Sequence, residues 1–328
     1  MKKGELKMSE SFTFAIDGLG RIGQYVLGVY IKDKKFCLEN NEKMDMKCVG
    51  IIRREAKPGE EIAGLPIVTN VHDLPVRPDV VIQTKRSEFV MPIIEQYLKW
   101  GFCTVDSLDD RGLLFDSLDE LGKLAKIYKA CGLNTGFCPG IYSTGMAIGY
   151  RINPWVKSTI NYGPGKSMGH SGQAATVMER FGIEDPKAVS ITDHFHTDAG
   201  VFIPGKHQRD LYIEVDNAEL KAALLAHKYF VDNDEQHTDI HVVDDVTKYD
   251  TKTHGGYLLS DDKESVKLEM DWKGDNGEFT ARALYSGARC MARYKRDQKY
   301  GYYLDSMIAQ MDCVKGVTIS DRLKRARA

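Results

Sequence analysis

Phe12-Thr13-Phe14-Ala15-Ile16-Asp17-Gly18-Leu19-Gly20-Arg21-Ile22-Gly23 is the stretch whose reading decides the fold. Its first five residues are short, apolar and β-prone, which suits a buried parallel strand. Three glycines at Gly-x-Gly-x-x-Gly spacing follow at once, and residues 24–31 then read as helix. Each glycine has its own task in such a strand–turn–helix. Gly18 permits the tight turn, Gly20 lets the backbone approach a pyrophosphate, and Gly23 lets the helix pack on the strand. The free N–H groups and positive dipole end of the helix then face the phosphates. In this context the spacing predicts a dinucleotide site, with Arg21 and Ile22 inside the turn. The plainer alternative is a glycine-rich turn in another α/β fold.

A second strand is expected at 47–52, and it stops at Arg53-Arg54. An acidic residue there would take the ribose hydroxyls of NAD, whereas an arginine suits the extra phosphate of NADP. Guanidinium groups match phosphate because they give two parallel charged hydrogen bonds. Arg53 and Arg54 therefore predict NADP rather than NAD. Two surface arginines after a strand, with Glu55 beside them, is the competing reading. Thr84 and Lys85, just past the next strand, complete the expected cofactor contacts.

The pattern continues outward from this motif. Strands are expected at 65–68, 80–82 and 102–106, and helices at 91–99 and 113–130. Alternating strand and helix predicts an α/β protein with a Rossmann-type, doubly wound parallel sheet. Near Asn134 the texture changes to longer loops, more His and Gly, and alternating strands at 211–215, 241–243 and 265–270. A helix at 218–229 lies among them. This predicts a second, α+β domain over 137–284, after a dinucleotide-binding domain over 1–136 that 285–328 completes.

With 328 residues, two domains fit comfortably. A formal net charge of -2 argues against a nucleic-acid partner. The basic end around Arg322 and Arg325 is expected to be a solvated tail. Seven scattered cysteines without CxxC spacing make neither a disulfide framework nor a zinc site. His194-Phe195-His196 would face both imidazoles one way on a strand, but no third ligand accompanies them, so no metal is expected. No apolar run approaches the roughly 20 residues of a membrane helix, and the start lacks a signal-peptide core. The expected address is the cytoplasm.

Four further segments are distinctive: Cys103-Thr104-Val105-Asp106-Ser107-Leu108-Asp109, Gly163-Pro164-Gly165-Lys166-Ser167-Met168-Gly169-His170-Ser171, Gly205-Lys206-His207-Gln208-Arg209, and His254-Gly255-Gly256. In this order and spacing the chain resembles the meso-diaminopimelate dehydrogenase family, from about Phe14 to about Arg293. The resemblance implies an NADP-dependent oxidoreductase of lysine biosynthesis, working as a homodimer. Its second domain would bind the amino acid substrate and dimerise. Such an enzyme deaminates the D-configured centre of meso-diaminopimelate oxidatively. By resemblance, Thr192, Arg209, His254 and Asn276 hold the far carboxylate, and Met168 and Gly169 line the substrate wall. Singly, Arg209 also fits a surface position, and His254 and Asn276 also fit turns.

The reaction end departs from the family pattern. Where the family carries Trp-Asp-Pro-Gly, this chain has Phe137-Cys138-Pro139-Gly140, and Leu113 stands where a further acid is expected. Asp109 is the retained candidate for contacting the reacting amine, with Phe137 and Cys138 beside it. Two lost carboxylates match a cationic amine poorly. Dehydrogenation of a different amine or amino acid, or NADP binding without catalysis, are thus the alternatives to the family's own reaction.

Overall fold

The computed structural model describes the chain except residues 1–10, 109–110, 137–140, 197–198, 200–201, 233–234, 252, 317–319, 321 and 324–328. The chain divides into two compact units, Met1–Gly140 with Gly277–Ala328, and Ile141–Asn276. The expected divisions were at 136/137 and 284/285. The later one falls at Gly277 instead because the returning helix is continuous from Asn276 to Arg296.

The first unit opens with β1 (Phe12–Asp17), α1 (Arg21–Glu39) and β2 (Met46–Ile52). It continues through β3 (Glu61–Ile62), β4 (Leu65–Val68), β5 (Val80–Gln83), α2 (Ser87–Lys99), β6 (Cys103–Asp106), α3 (Arg111–Ile127) and β7 (Cys131–Asn134). Strand order in its eight-stranded sheet is β17-β7-β6-β5-β1-β2-β4-β3, where β17 (Gly301–Leu304) comes from the segment that follows the second unit. All neighbours pair in parallel except β3 with β4. The chain leaves β1 toward β2 on one side and returns to β5 on the other. The order therefore reverses between β1 and β5, and ligands of open α/β sheets bind at such a reversal, outside the carboxyl ends of the strands. The expected Rossmann-type sheet is the one observed.

Alternation along β1 builds both layers of core. Phe14 and Ile16 pack with Val26, Leu27 and Tyr30 of α1 and with Leu284 and Ala288 of the returning helix. Ala15 faces the other way, among Val81, Tyr97 and Phe102.

The second unit contains α4 (Ile141–Ile152), β8 (Thr159–Tyr162), β9 (Gly165–Ser167), α5 (Met168–Arg180), β10 (Ala188–His196), β11 (Phe202–Ile213) and α6 (Ala218–Leu225). After these come β12 (Val231–Asp232), β13 (Glu235–Gln236), β14 (Thr238–Val242), β15 (Thr253–Asp261) and β16 (Lys267–Asp275). A four-stranded sheet has the order β14-β11-β10-β9, and a three-stranded one the order β16-β15-β8. Leu211 and Ile213 of β11 meet Ala174, Val177 and Met178 of α5 and Leu220 and Leu224 of α6 in the core of this unit.

The chain returns to the first unit as α7 (Asn276–Arg296) and β17 (Gly301–Leu304), which pairs in parallel with β7. Arg289 of α7 forms a buried two-point pair with Asp45, Nε to Oδ2 at 2.7 Å and NH2 to Oδ1 at 3.2 Å. One expectation is corrected here. Arg322 is buried and bonded to the Met311 carbonyl at 3.2 Å and to Asp312 at 2.5 Å, so it is not part of a solvated tail. Its guanidinium finds a better home against carbonyls and a carboxylate than the basic composition suggested.

Candidate functional site

The glycine turn leaves β1 at the reversal point. Gly18 sits at φ +101°, in the left-handed half of backbone space that favours glycine. Its N–H donates to the Ile52 carbonyl at 2.9 Å, and the Thr84 hydroxyl donates to its carbonyl at 2.8 Å. A Cβ at Gly23 would collide with the Gly18 carbonyl, so α1 presses directly on the turn. A Cβ at Gly20, by contrast, would meet nothing within 4 Å. Gly20 caps α1 without any side-chain hydrogen bond. Open space beside the first turn of a helix is the geometry a pyrophosphate needs, so the residues present fit a dinucleotide. Arg21 and Ile22 open the helix at this point.

Arg53 and Arg54 follow β2 but differ in state. Arg53 is half-buried and paired with Glu60 at 3.0 Å. Arg54 is exposed and has no ion pair among the described residues. Thr84 spends its hydroxyl on bracing the turn, and the Lys85 ammonium is held by Asp17 at 2.8 Å. Asp17 escaped the sequence reading. This fully buried carboxylate also accepts from Gln83 Nε2 and from the Tyr97 hydroxyl, each at 3.0 Å. Burial and the Asp17 charge push the Tyr97 hydroxyl well above its ordinary range. The available signal was an acid closing an otherwise apolar strand.

The reaction-end candidates Asp109, Phe137 and Cys138 lie outside the described residues. The strands that lead to them end at a described, buried node. The Asp106 carboxylate accepts from Tyr302 Oη at 2.6 Å, Asn134 Nδ2 at 2.6 Å and Leu108 N at 3.0 Å. Asn134 Nδ2 also donates to the Leu108 carbonyl at 3.0 Å, and Thr135 N donates to the Asp106 carbonyl at 2.8 Å. Leu113 lies on the first turn of α3 and is 44% exposed.

In the second unit, three strand pairings bring one residue each from four strands into a single row. Thr238 pairs with Arg209, Arg209 with Thr192, and Thr192 with Gly165. Directly paired residues share a face of the sheet. Arg209 also shares the inward register of Leu211 and Ile213, because residues two apart on a strand point the same way. Gly165 extends the row toward β15, since a Cβ there would run into the backbone of Thr253 and His254.

The polar side chains of this row, and His254 and Asn276 beside it, are removed from water. Thr192 is 1% exposed, Arg209 4%, His254 4% and Asn276 8%. The Thr192 hydroxyl has no hydrogen-bond partner among the described residues. Neither ring nitrogen of His254 makes a well-formed hydrogen bond among them, although the Gly165 backbone lies near. Burial pulls the His254 imidazole down to about 4, which keeps it neutral at physiological pH. Asn276 Nδ2 reaches the Lys166 carbonyl at 3.5 Å. Buried polar groups lacking partners are costly unless a ligand supplies the bonds. A guanidinium, a hydroxyl and a neutral imidazole together suit a carboxylate.

Met168 and Gly169 form the start of α5, next to this row. Ser167 caps that helix, accepting from His170 N at 3.3 Å, and its hydroxyl also meets His170 Nδ1. His194 Nε2 lies 3.1 Å from the Gly163 carbonyl and His196 Nδ1 lies 3.0 Å from the His194 carbonyl. Among the described residues no group of three or more His, Cys, Asp or Glu is arranged to hold a metal.

A glycine turn at the reversal point of a doubly wound sheet defines a Rossmann-type nucleotide-binding fold. Along almost its whole length the chain is similar to meso-diaminopimelate dehydrogenases. It is 29% identical over 317 residues to the meso-diaminopimelate D-dehydrogenase of Bacteroides fragilis, covering 92% of this chain and 95% of that one. Two solved structures share the fold. The diaminopimelate dehydrogenase of C. glutamicum in complex with its substrate superposes with a TM-score of 0.75 at 21% identity, over 96% of this chain and 99% of that one. An engineered D-amino acid dehydrogenase bound to NADP+ gives 0.74 at 20% identity, over the same shares of 96% and 99%. No protein-family profile matches the chain.

Proposed function

We propose that the protein is an NADP-dependent amino acid dehydrogenase that deaminates meso-diaminopimelate, or a close analogue, at its D-configured centre. The observation that carries this reading is the inward row of Thr192 and Arg209, flanked by His254 and Asn276. A substrate carboxylate would supply the partners that the Thr192 hydroxyl and the His254 ring lack among the described residues. The likeness to the Bacteroides fragilis enzyme along almost the whole chain supports the same substrate.

In this reading Gly18, Gly20, Arg21, Ile22 and Gly23 cradle the NADP pyrophosphate, and Arg54, with Arg53 behind it, takes the extra phosphate. NADP, when bound, supplies the hydride acceptor. The second unit holds the far, L-configured end of the substrate. Arg209 forms the charged bonds to its carboxylate while Thr192, His254 and Asn276 contribute neutral ones. Met168 and Gly169 line the adjoining wall. Asp109 contacts the reacting ammonium, with Phe137 and Cys138 beside it. Loss of a proton from the ammonium and of hydride from the D-carbon leaves an iminium, which water hydrolyses to L-2-amino-6-oxopimelate and ammonia.

The protein would serve lysine biosynthesis in the cytoplasm, as a homodimer. The described cysteines are all free thiols, which fits a reducing compartment. Exposed Ile148 and Ile152 on α4, with Trp155 just beyond at 77% exposure, give the second unit an apolar face suited to a second copy. No helix among the described residues is long and apolar enough to cross a membrane.

The test is an assay at the nicotinamide absorbance with meso-diaminopimelate and either NADP or NAD. Rapid NADP reduction with stoichiometric ammonia is expected. Turnover of other amines but not of this substrate would overturn the substrate assignment. NADPH binding without turnover on any amine would make the chain a binding protein instead.

A further inference from the structure

We infer that Asp106 is a positioning residue for the proposed reaction: with Tyr302 it pins the carboxyl ends of β6 and β7, from which the chain runs on to Asp109 and Cys138. The inference rests on the reading of the reaction given above.

Asp106 is the last residue of β6 and Asn134 the last of β7, and the two are register partners. One carboxylate joins both strand ends to a third element. Its donors are the Tyr302 hydroxyl from β17, the Asn134 amide from β7 and the Leu108 N–H from its own outgoing segment. Its backbone carbonyl meanwhile accepts from Thr135 N at 2.8 Å and from the Thr135 hydroxyl at 3.1 Å, fixing the segment that leaves β7. Both outgoing segments are therefore tied to the same residue.

A fully buried carboxylate is an expensive way to join three strands. Apolar side chains of similar volume would hold a sheet without the cost of desolvating a charge. What the carboxylate adds is direction, because three donors aimed at one small group fix the strand ends far more tightly than dispersion does. Its donors are all uncharged. Tyr302 is the titratable group that faces it, and no charged side chain among the described residues acts on it. Burial accordingly pushes its carboxyl up to about 6, against the opposing hydrogen bonds from Tyr302, Leu108 and Asn134. Protonation would put a hydrogen on an oxygen that now only accepts, and so disturb the node.

The test uses the purified full chain with Asp106→Asn and Tyr302→Phe. For Asp106→Asn, kcat should fall by roughly tenfold or more while NADPH affinity stays within about twofold. If Asp106 sets an acid limb in the wild-type pH–kcat profile, that limb should lie near the raised carboxyl value of about 6 and should disappear in Asp106→Asn. Tyr302→Phe removes a bond that favours the ionised carboxylate, so its acid limb should move to higher pH. Unchanged kcat and unchanged profiles in these variants would overturn the inference. If Asp106→Asn does not fold, the direction of the shift in Tyr302→Phe decides alone. Amide hydrogen exchange at Leu108 and Thr135 separates this inference from the reaction itself. Should the wild type turn over no amine, the reading of the reaction fails. Faster exchange at both amides in either variant would still uphold the pinning by Asp106, and unchanged exchange would overturn it.

Discussion

Thr192 and Arg209 stand directly opposite one another across the antiparallel β10–β11 pair, on the face of the sheet that also carries Leu211 and Ile213. A hydroxyl and a guanidinium thus occupy the continuation of an apolar core. Apolar packing does not call for the Thr192 hydroxyl, which has no hydrogen-bond partner among the described residues, and a ligand that bonded it would repay its burial. Thr192→Val should therefore separate stability from binding. Removing a buried hydroxyl that has no partner among the described residues should stabilise the free protein by about 1 kcal/mol. KM for a dicarboxylate substrate should rise roughly tenfold, since a bond to a charged group is lost. Denaturant unfolding and steady-state kinetics on the same preparation check both.

Arg209→Ala should raise KM by about 100-fold, the loss of two charge-assisted bonds. A substrate analogue lacking the far carboxylate should be turned over equally by variant and wild type. An equal loss on both substrates would remove Arg209 from carboxylate binding.

In the proposed reading Arg54 takes the extra phosphate more than Arg53 does, because Arg53 is already engaged by Glu60 at 3.0 Å. Arg54→Ala should weaken NADP by roughly tenfold to 100-fold and leave NAD almost unaffected. Fluorescence titration with the two reduced cofactors measures this. Equal weakening of both would end the phosphate assignment.

The two glycines of the turn predict different failures. At Gly20 a Cβ meets nothing within 4 Å, so Gly20→Ala should fold normally yet bind NADP at least roughly tenfold more weakly. At Gly23 the added carbon strikes the Gly18 carbonyl and comes within 2.9 Å of the Thr84 hydroxyl. Gly23→Ala should thus lose about 1–3 kcal/mol of stability as well as the cofactor. Thermal melts with and without NADP distinguish the two.

His254 gives a pH signature of the opposite kind to a salt-bridged histidine. Its folded value is lowered to about 4, whereas an unfolded histidine titrates near 6.5. Below about 6.5 the unfolded chain gains a proton that the folded chain refuses, so stability falls as pH drops and is whole above that value. The loss should be about 2 kcal/mol between about pH 6.5 and 5. It should be missing in His254→Gln when both are unfolded in urea at several pH values.

What could be read in the sequence was local. The β1–turn–α1 unit carries its identity in twelve consecutive residues, and the following strands announce themselves as short apolar runs between helices. Arg209 was visible through its place in a motif, but its inward register follows only once β11 is seen to begin at Phe202 rather than near Leu211. The buried pairs were not visible. Asp45 meets Arg289 across 244 residues and Asp106 meets Tyr302 across 196, with no periodicity to link them. β17 was missed because four residues between a helix and short turns give too little pattern, and its partner β7 lies far away in sequence.

That last strand has a consequence for how the protein comes into being. The second unit is one uninterrupted piece of chain, but the first is closed by α7 and β17, which follow it. On the ribosome β7 therefore emerges as a bare sheet edge, and Asp45 and Asp106 lack Arg289 and Tyr302 until α7 and β17 have been made. Domains generally fold as units when their chain is available. The unit encoded second can thus mature first, while the nucleotide-binding half waits with an edge open to other strands. A nascent chain stalled before Gly277 would be the aggregation-prone species.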